Sequence, residues 1–139
     1  MIELDIKRAL LKAVESATAA ITNPLPVQYP GVVFDPPNDN KFIEIVDLPN
    51  DATVETWSNG SAYSGTMRIL LHWPIDGAGQ FPALIKLLEY KTYFAKGTVF
   101  WENGNKVIIT AEPRMSSLIV TDRDLLQPMN IKYSSTSTL

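Results

Sequence analysis

Apolar positions along the first twenty residues recur at the helical period. Ile2, Ile6, Ala9, Leu10, Ala13, Val14, Ala17 and Ile21 fall three and four residues apart, which gathers them on one face of a helix over 3–22. Glu3 and Asp5 stand near its positive end, where the macrodipole favours acid. Asn23-Pro24 stops it, because the residue before a proline avoids the helical region. Further on the period changes from helical to alternating. Met67, Ile69, Leu71 and Trp73 point one way along 65–73, and Thr66, Arg68, Leu70 and His72 point the other, which predicts a strand. Residues 41–48 are β-branched and apolar and predict another. Met129, Ile131 and Tyr133 alternate with Asn130 and Lys132 in a last strand.

The punctuation between these elements sets their connections. Pro24, Pro26, Pro30, Pro36 and Pro37 make 23–40 an extended connection, with Val32-Val33-Phe34 expected as a short edge strand. Residues 52–64, with Asn59-Gly60 near their centre, are expected to form an irregular hairpin arm. A second helix is expected with Pro82 in its first turn and Gly97 just past its end, showing a broad apolar face of Leu84, Ile85, Leu87, Leu88, Phe94 and Ala95. Thr98 to Trp101 and Lys106 to Ala111 flank an Asn103-Gly104 turn, the hairpin signal. Residues 117–121 add a short strand, and 134–139 are polar and expected to fray. The order predicts an α+β fold: an antiparallel or mixed β-sheet with two helices packed on one face, plus a projecting β-hairpin or loop arm over 50–64. Residues 1–139 read as a single domain without internal repeat.

Composition narrows the function more than the fold. Hydrophobic residues make up 45% and charged residues 19%, enough apolar content for a packed core. The net charge of -3 offers no strongly basic surface, so nucleic-acid recognition is disfavoured. The absence of cysteine removes disulfides, thiolate metal sites and thiol nucleophiles. The N-terminal residues carry acid rather than a basic signal region, and no apolar run approaches the ~18 residues a membrane span needs. Asn59-Gly60-Ser61 spells a glycosylation acceptor but reads as a turn.

No set of side chains suggests catalysis. His72 is the single histidine, and its position along the 65–73 strand supplies neither nucleophile nor carboxylate partner. Asp122-Arg123-Asp124 lacks a calcium-loop pattern and balances its own charge. Asp76-Gly77-Ala78-Gly79 precedes a helix as a phosphate loop does, but no lysine follows, so a turn explains it. Glu44, Asp47, Glu55 and Glu112 meet only if the fold brings them together. No catalytic, cofactor or metal residue is therefore assigned, and no cofactor is expected. What remains is surface. Trp57 sits among polar neighbours, which fits either a docking anchor or a small satellite cluster. Trp101 fits either an interface or cross-strand packing. With Asp51, Glu55, Tyr63 and Arg68 they form the candidate interface set.

The order of elements carries a resemblance. It runs from the N-terminal helix through the proline-rich segment to Gly65-Thr66-Met67-Arg68-Ile69-Leu70-Leu71-His72-Trp73-Pro74, then Asp76-Gly77-Ala78-Gly79 and a helix ending in Tyr93-Phe94-Ala95-Lys96-Gly97. It closes on Thr110-Ala111-Glu112-Pro113 and Gln127-Pro128-Met129-Asn130-Ile131-Lys132-Tyr133. Over roughly 3–133 the chain resembles the tail terminator and tail completion proteins of lambda-like siphophages, including related phage proteins of unknown function. The resemblance implies a structural protein of the virion tail or neck, assembled in the host bacterial cytoplasm without a signal peptide. It implies a homo-oligomeric ring, hexameric in the assembled tail and built from a chain expected to be monomeric when free, that caps the tail tube, stops its polymerisation and contributes to head–tail joining. The implied partners are further copies of the chain, the tail tube protein and the head–tail connector, with no membrane and no nucleic-acid sequence recognition. Another neck component, such as a head–tail adaptor or tube subunit, is the rival within that class. A small ligand-binding domain or enzyme is the rival outside it.

Overall fold

A computed structural model of the chain describes residues 2–49, 53–54, 61–75, 77 and 79–137. Helix α1 (Ile2–Ala20) leads into strands β1 (Val27–Gln28), β2 (Phe42–Pro49), β3 (Thr53–Val54) and β4 (Ser61–Pro74). Helix α2 (Phe81–Lys91) and a 3₁₀ turn (Thr92–Phe94) follow, then β5 (Val99–Glu102), β6 (Asn105–Ile109), β7 (Arg114–Met115), β8 (Ile119–Val120) and β9 (Asp124–Ser137). The strands form one sheet along the path β1-β2-β4-β9-β6-β5, with β3 on β4 and β7 and β8 on β9. β1 runs parallel to β2 and every other pair is antiparallel. The architecture is therefore the α+β arrangement with a mixed sheet.

Strand parity builds the core. Ile45 lies opposite Ile69, Ile69 opposite Met129, and Met67 opposite Ile131, so one face of the sheet is a continuous apolar surface. Both helices cover that face. α1 contributes Leu10, Val14 and Ala17, α2 contributes Ala83, Leu87 and Tyr90, and all join one buried cluster. Burying a side chain such as Leu87 stabilises the fold by about 1.5–3 kcal/mol. The Thr18 and Tyr90 hydroxyls meet at 2.7 Å and tie the helices together. α1 stops at Ala20, and Asn23 takes a left-handed φ of 54° just beyond. Lys86 on α2 donates to the carbonyls of Thr22 and Asn23 in the turn just beyond α1, holding that turn against the second helix.

Several expectations need correction. Val32-Val33-Phe34 is not a strand. Pro30 ends the pairing and Gly31 turns the chain at a φ of 75°, so the edge strand is Val27–Gln28, and Phe34 packs on Phe42 at 5.1 Å instead. The face of α2 is narrower than expected. Ala83, Leu87, Tyr90 and Phe94 form its buried stripe, while Ile85 and Leu88 lie off that stripe and are exposed. Residues 134–137 continue β9, paired with Ser61–Ser64 of β4. The expected 117–121 strand is only Ile119–Val120, and Arg114–Met115 adds an unforeseen one. Of the 50–64 arm, the pairing of Thr53–Val54 with Ser61–Ala62 is seen. Residues 50–52 and 55–60, and with them the arm's turn, lie outside the described residues.

β9 begins five residues before the alternation suggested and carries Pro128 within it. The Pro128 carbonyl accepts from the Ser116 amide at 3.1 Å. A residue's N–H and C=O point to the same side of a strand, so the missing proline donor faces away from β4 and costs no bond in that ladder.

Two contacts lock the sheet's far end. Gly65 lets β4 pass beside Tyr133: a Cβ there would lie 2.8 Å from the tyrosine ring and 2.9 Å from Pro49 Cα. The Tyr133 hydroxyl donates to Asp47 Oδ1 at 2.8 Å, and burial, followed by that bond, holds its pKa above the ordinary tyrosine range. At the other end of the helix layer, the buried Asp5 carboxylate accepts from Asn103 Nδ2 at 2.9 Å and Asn105 Nδ2 at 2.6 Å. Asn103 and Gly104 hold left-handed φ values of 50° and 80°, as a two-residue hairpin turn requires. The turn's asparagines thus anchor the first turn of α1, and Lys12 adds an ion pair to Glu102 at 2.6 Å.

Gly65→Ala forces Tyr133 or the Pro49 backbone to move and is expected to lower unfolding stability by about 1–3 kcal/mol, measured by denaturant titration. The Asn103 bond, the largest cause, holds the Asp5 pKa below its ordinary 3.8. A depressed carboxylate contributes stability above its unfolded pKa and loses it as pH falls through the folded value. Asp5→Asn is therefore expected to be less stable than the parent at neutral pH, with the difference shrinking below pH 3.8 in thermal melts taken across acid pH.

Candidate functional site

The face of the sheet away from the helices carries the exposed chemistry. Register places Phe42 opposite His72, Glu44 opposite Leu70, and Val46 opposite Arg68. The next strand sets Asn130 beside Arg68. On this scaffold His72 Nε2 lies 3.0 Å from Glu44 Oε1, and its ring stacks on Phe42 with centroids 4.1 Å apart and planes 9° from parallel. Arg68 Nε donates to Asn130 Oδ1 at 3.0 Å, and Asn130 Nδ2 donates to Ser116 Oγ at 2.6 Å. The histidine therefore has the carboxylate partner that the sequence did not reveal. Glu44 is 28 residues away, and only the β2–β4 register brings it diagonally across.

The pair does not complete a catalytic set. Glu44 is the only side chain among the described residues hydrogen-bonded to the imidazole, so no hydroxyl stands ready for activation. No group of three or more His, Asp or Glu side chains that could hold a metal occurs among the described residues. A cavity of about 680 Å³ is an open notch between α1 and the β1–β2 edge, walled by Leu10, Ile45 and Met67 with Lys7 and Arg8 beside them. Asp47 Oδ2 is buried there without a partner, and its other oxygen is held by Tyr133. Glu44 and Asp47 both line this notch, but Glu112 is turned instead to the Lys96 amide at 3.1 Å.

The three candidate interface residues that the structure describes are not gathered in one place. Arg68 is half-buried on the open face, tied to Asn130. Tyr63, on the same strand but of opposite parity, is half-buried against the edge of the core. Trp101 is 64% exposed on β5, at the far end of the sheet. Asp51, Glu55 and Trp57 lie outside the described residues. Sequence reading also missed a second exposed apolar surface. Phe81, Ile85 and Leu88 form a stripe on the solvent side of α2; the spacing had placed Ile85 and Leu88 on the apolar face and had not singled out Phe81. No helix among the described residues is long and apolar enough to cross a membrane.

Comparison with known proteins places this arrangement. A solved structure 22% identical to the chain superposes with a TM-score of 0.78, covering 96% of this chain and 94% of that one, and shows the same fold. Eleven chains of known structure are similar in all. Comparison with curated proteins finds no match. A family model described as "Phage tail terminator protein" matches residues 5–133, from the Asp5 anchor of α1 to Tyr133 in β9. The chain belongs to the phage tail terminator protein family.

Proposed function

We propose that this protein is a ring-forming tail terminator that caps the tail tube, stops its polymerisation and contributes to head–tail joining. The observation that carries the reading is a family match spanning both helices and the central strands, on a fold whose conspicuous chemistry is docking surface rather than a reaction centre. The ring, hexameric in the assembled tail, requires a head-to-tail contact between copies whose rotation closes. The tube protein binds one side of it and the head–tail connector the other. The protein is not an enzyme on this reading and carries no cofactor. It resides in the tail or neck of the virion after assembly in the host cytoplasm.

Asp51, Glu55, Trp57, Tyr63, Arg68 and Trp101 are proposed to contribute to these interfaces. Arg68 and Trp101 fit the role best, being respectively a half-buried cation on the uncovered face and an exposed aromatic at a sheet edge.

Electron microscopy of the purified protein mixed with tails that lack it tests the reading. Density is expected at the head-proximal end alone. Incorporation along the tube would identify a tube subunit, and attachment to heads without tails an adaptor. In the same assay Trp57→Ala is expected to fold normally and cap poorly; full capping by this variant would remove residue 57 from the interface. His72→Ala loses the bond to Glu44, at a cost of about 1 kcal/mol in stability. It is expected to cap tails as the parent does, and a folded variant that fails to cap would show that the His72–Glu44 pair belongs to the working surface.

A further inference from the structure

The two ends of the sheet are unlike. At one end β1 is two residues long and bracketed by Pro26 and Pro30, and β2 behind it ends in Pro49. Prolines and short strands blunt an edge against pairing. At the other end β5, Val99–Glu102, carries no proline. Its hairpin with β6 fixes which backbone groups face outward. The Ile109 amide donates to the Thr98 carbonyl at 2.9 Å, so Thr98, Phe100 and Glu102 turn toward β6. By alternation Val99 and Trp101 present their N–H and C=O groups to solvent, and no described residue bonds to them. Trp101 is 64% exposed, and a cleft of about 330 Å³ between α1 and β5 leaves room beside the strand.

We propose that the free protein forms a two-fold dimer in which β5 pairs antiparallel with β5 of a second copy. The strand is complementary to itself. A two-fold axis at Phe100 sets Val99 opposite Trp101 of the partner subunit, and Trp101 opposite Val99 of the partner subunit. Each of those pairs exchanges both of its backbone hydrogen bonds, using all the outward groups of Val99 and Trp101. The side chains match as well. Each aromatic ring lies over a β-branched residue, a favoured cross-strand pair, and the two Phe100 rings meet at the centre. The Glu102 carboxylates fall at opposite ends of the ladder, each across from Thr98, so no like charges face each other. The other edge of the sheet has no such segment, which makes β5 the surface that a second copy recognises.

The paired segment is short, far below the ~1,200–2,000 Å² of a standard stable interface, so the dimer is weak and opens readily. That weakness suits a covering device. The pairing shields the open edge while no tail is present, and entry into a ring, the reading above on which this role rests, follows opening of the dimer.

Sedimentation of the purified full chain without tails, from micromolar to millimolar concentration, tests the pairing. The parent is expected to shift from monomer to dimer mass. Val99→Pro removes an outward donor that β6 does not use, and Trp101→Lys sets a charge on the edge. Both are expected to stay folded by circular dichroism and to remain monomeric throughout the range. A parent that stays monomeric at every concentration, a larger ring in place of the dimer, or a dimer that persists in both folded variants overturns the proposal. Tail capping is scored separately. A parent that dimerises through β5 but fails to cap tails would sink the terminator reading and leave the dimer standing.

Discussion

Two fourteen-residue strands, β4 and β9, pair along their whole length from Ser61–Ser137 to Pro74–Asp124, and that ladder places nearly everything else. At ~3.3 Å per residue it spans roughly 45 Å, longer than any other element. Its register decides which face is apolar, because a slip of one residue would carry Met67, Ile69 and Leu71 to solvent and Arg68 and His72 into the core. β2 then attaches to one side and β6, β7 and β8 to the other, and both helices settle on the only face able to bury them. Gly65 and Pro128 are accommodations to the ladder. One makes room for Tyr133, and the other sits where a missing amide costs nothing between the two strands.

Much of this was legible in the pattern of residues, for physical reasons that also mark where legibility stops. The alternation of 65–73 identified β4 and its buried face, since burial of every second residue leaves a direct trace. The Asn103-Gly104 turn was legible because few residue types accept a left-handed backbone. Ladder length was not. Ser61–Ser64 and Ser134–Ser137 carry no apolar alternation and are held as strand by each other, which no local signal records. Nor was the choice between Val27 and Val32 as the edge strand. Both are β-branched residues among prolines, and only pairing with Ile43 selects the first. α2 shows the converse: its apolar residues outnumber its buried positions, so composition overstated the width of the face it packs.

For the candidate site the sequence offers residue types without places. The absence of cysteine and the single histidine are plain in it, but they do not say where any surface lies. Which surfaces are open depends on strand order. Trp101 is exposed because β5 ends the sheet, and its sequence neighbours reveal no such thing. The partnership of His72 with Glu44 likewise belongs to the register of two strands, since each residue alone looks like an ordinary surface group. Tertiary pairing, not spacing, carries this kind of information.

The anchoring of α1 by Asn103 and Asn105 bears on how the molecule comes into being. Asp5 reaches partners 98 and 100 residues later in the chain. Helix α1 is synthesised before the β5–β6 hairpin, and the Asp5 carboxylate in its first turn lacks these two partners until that hairpin has left the ribosome. The contact is among the most non-local in the molecule, and closures of that span are the kind that slow folding.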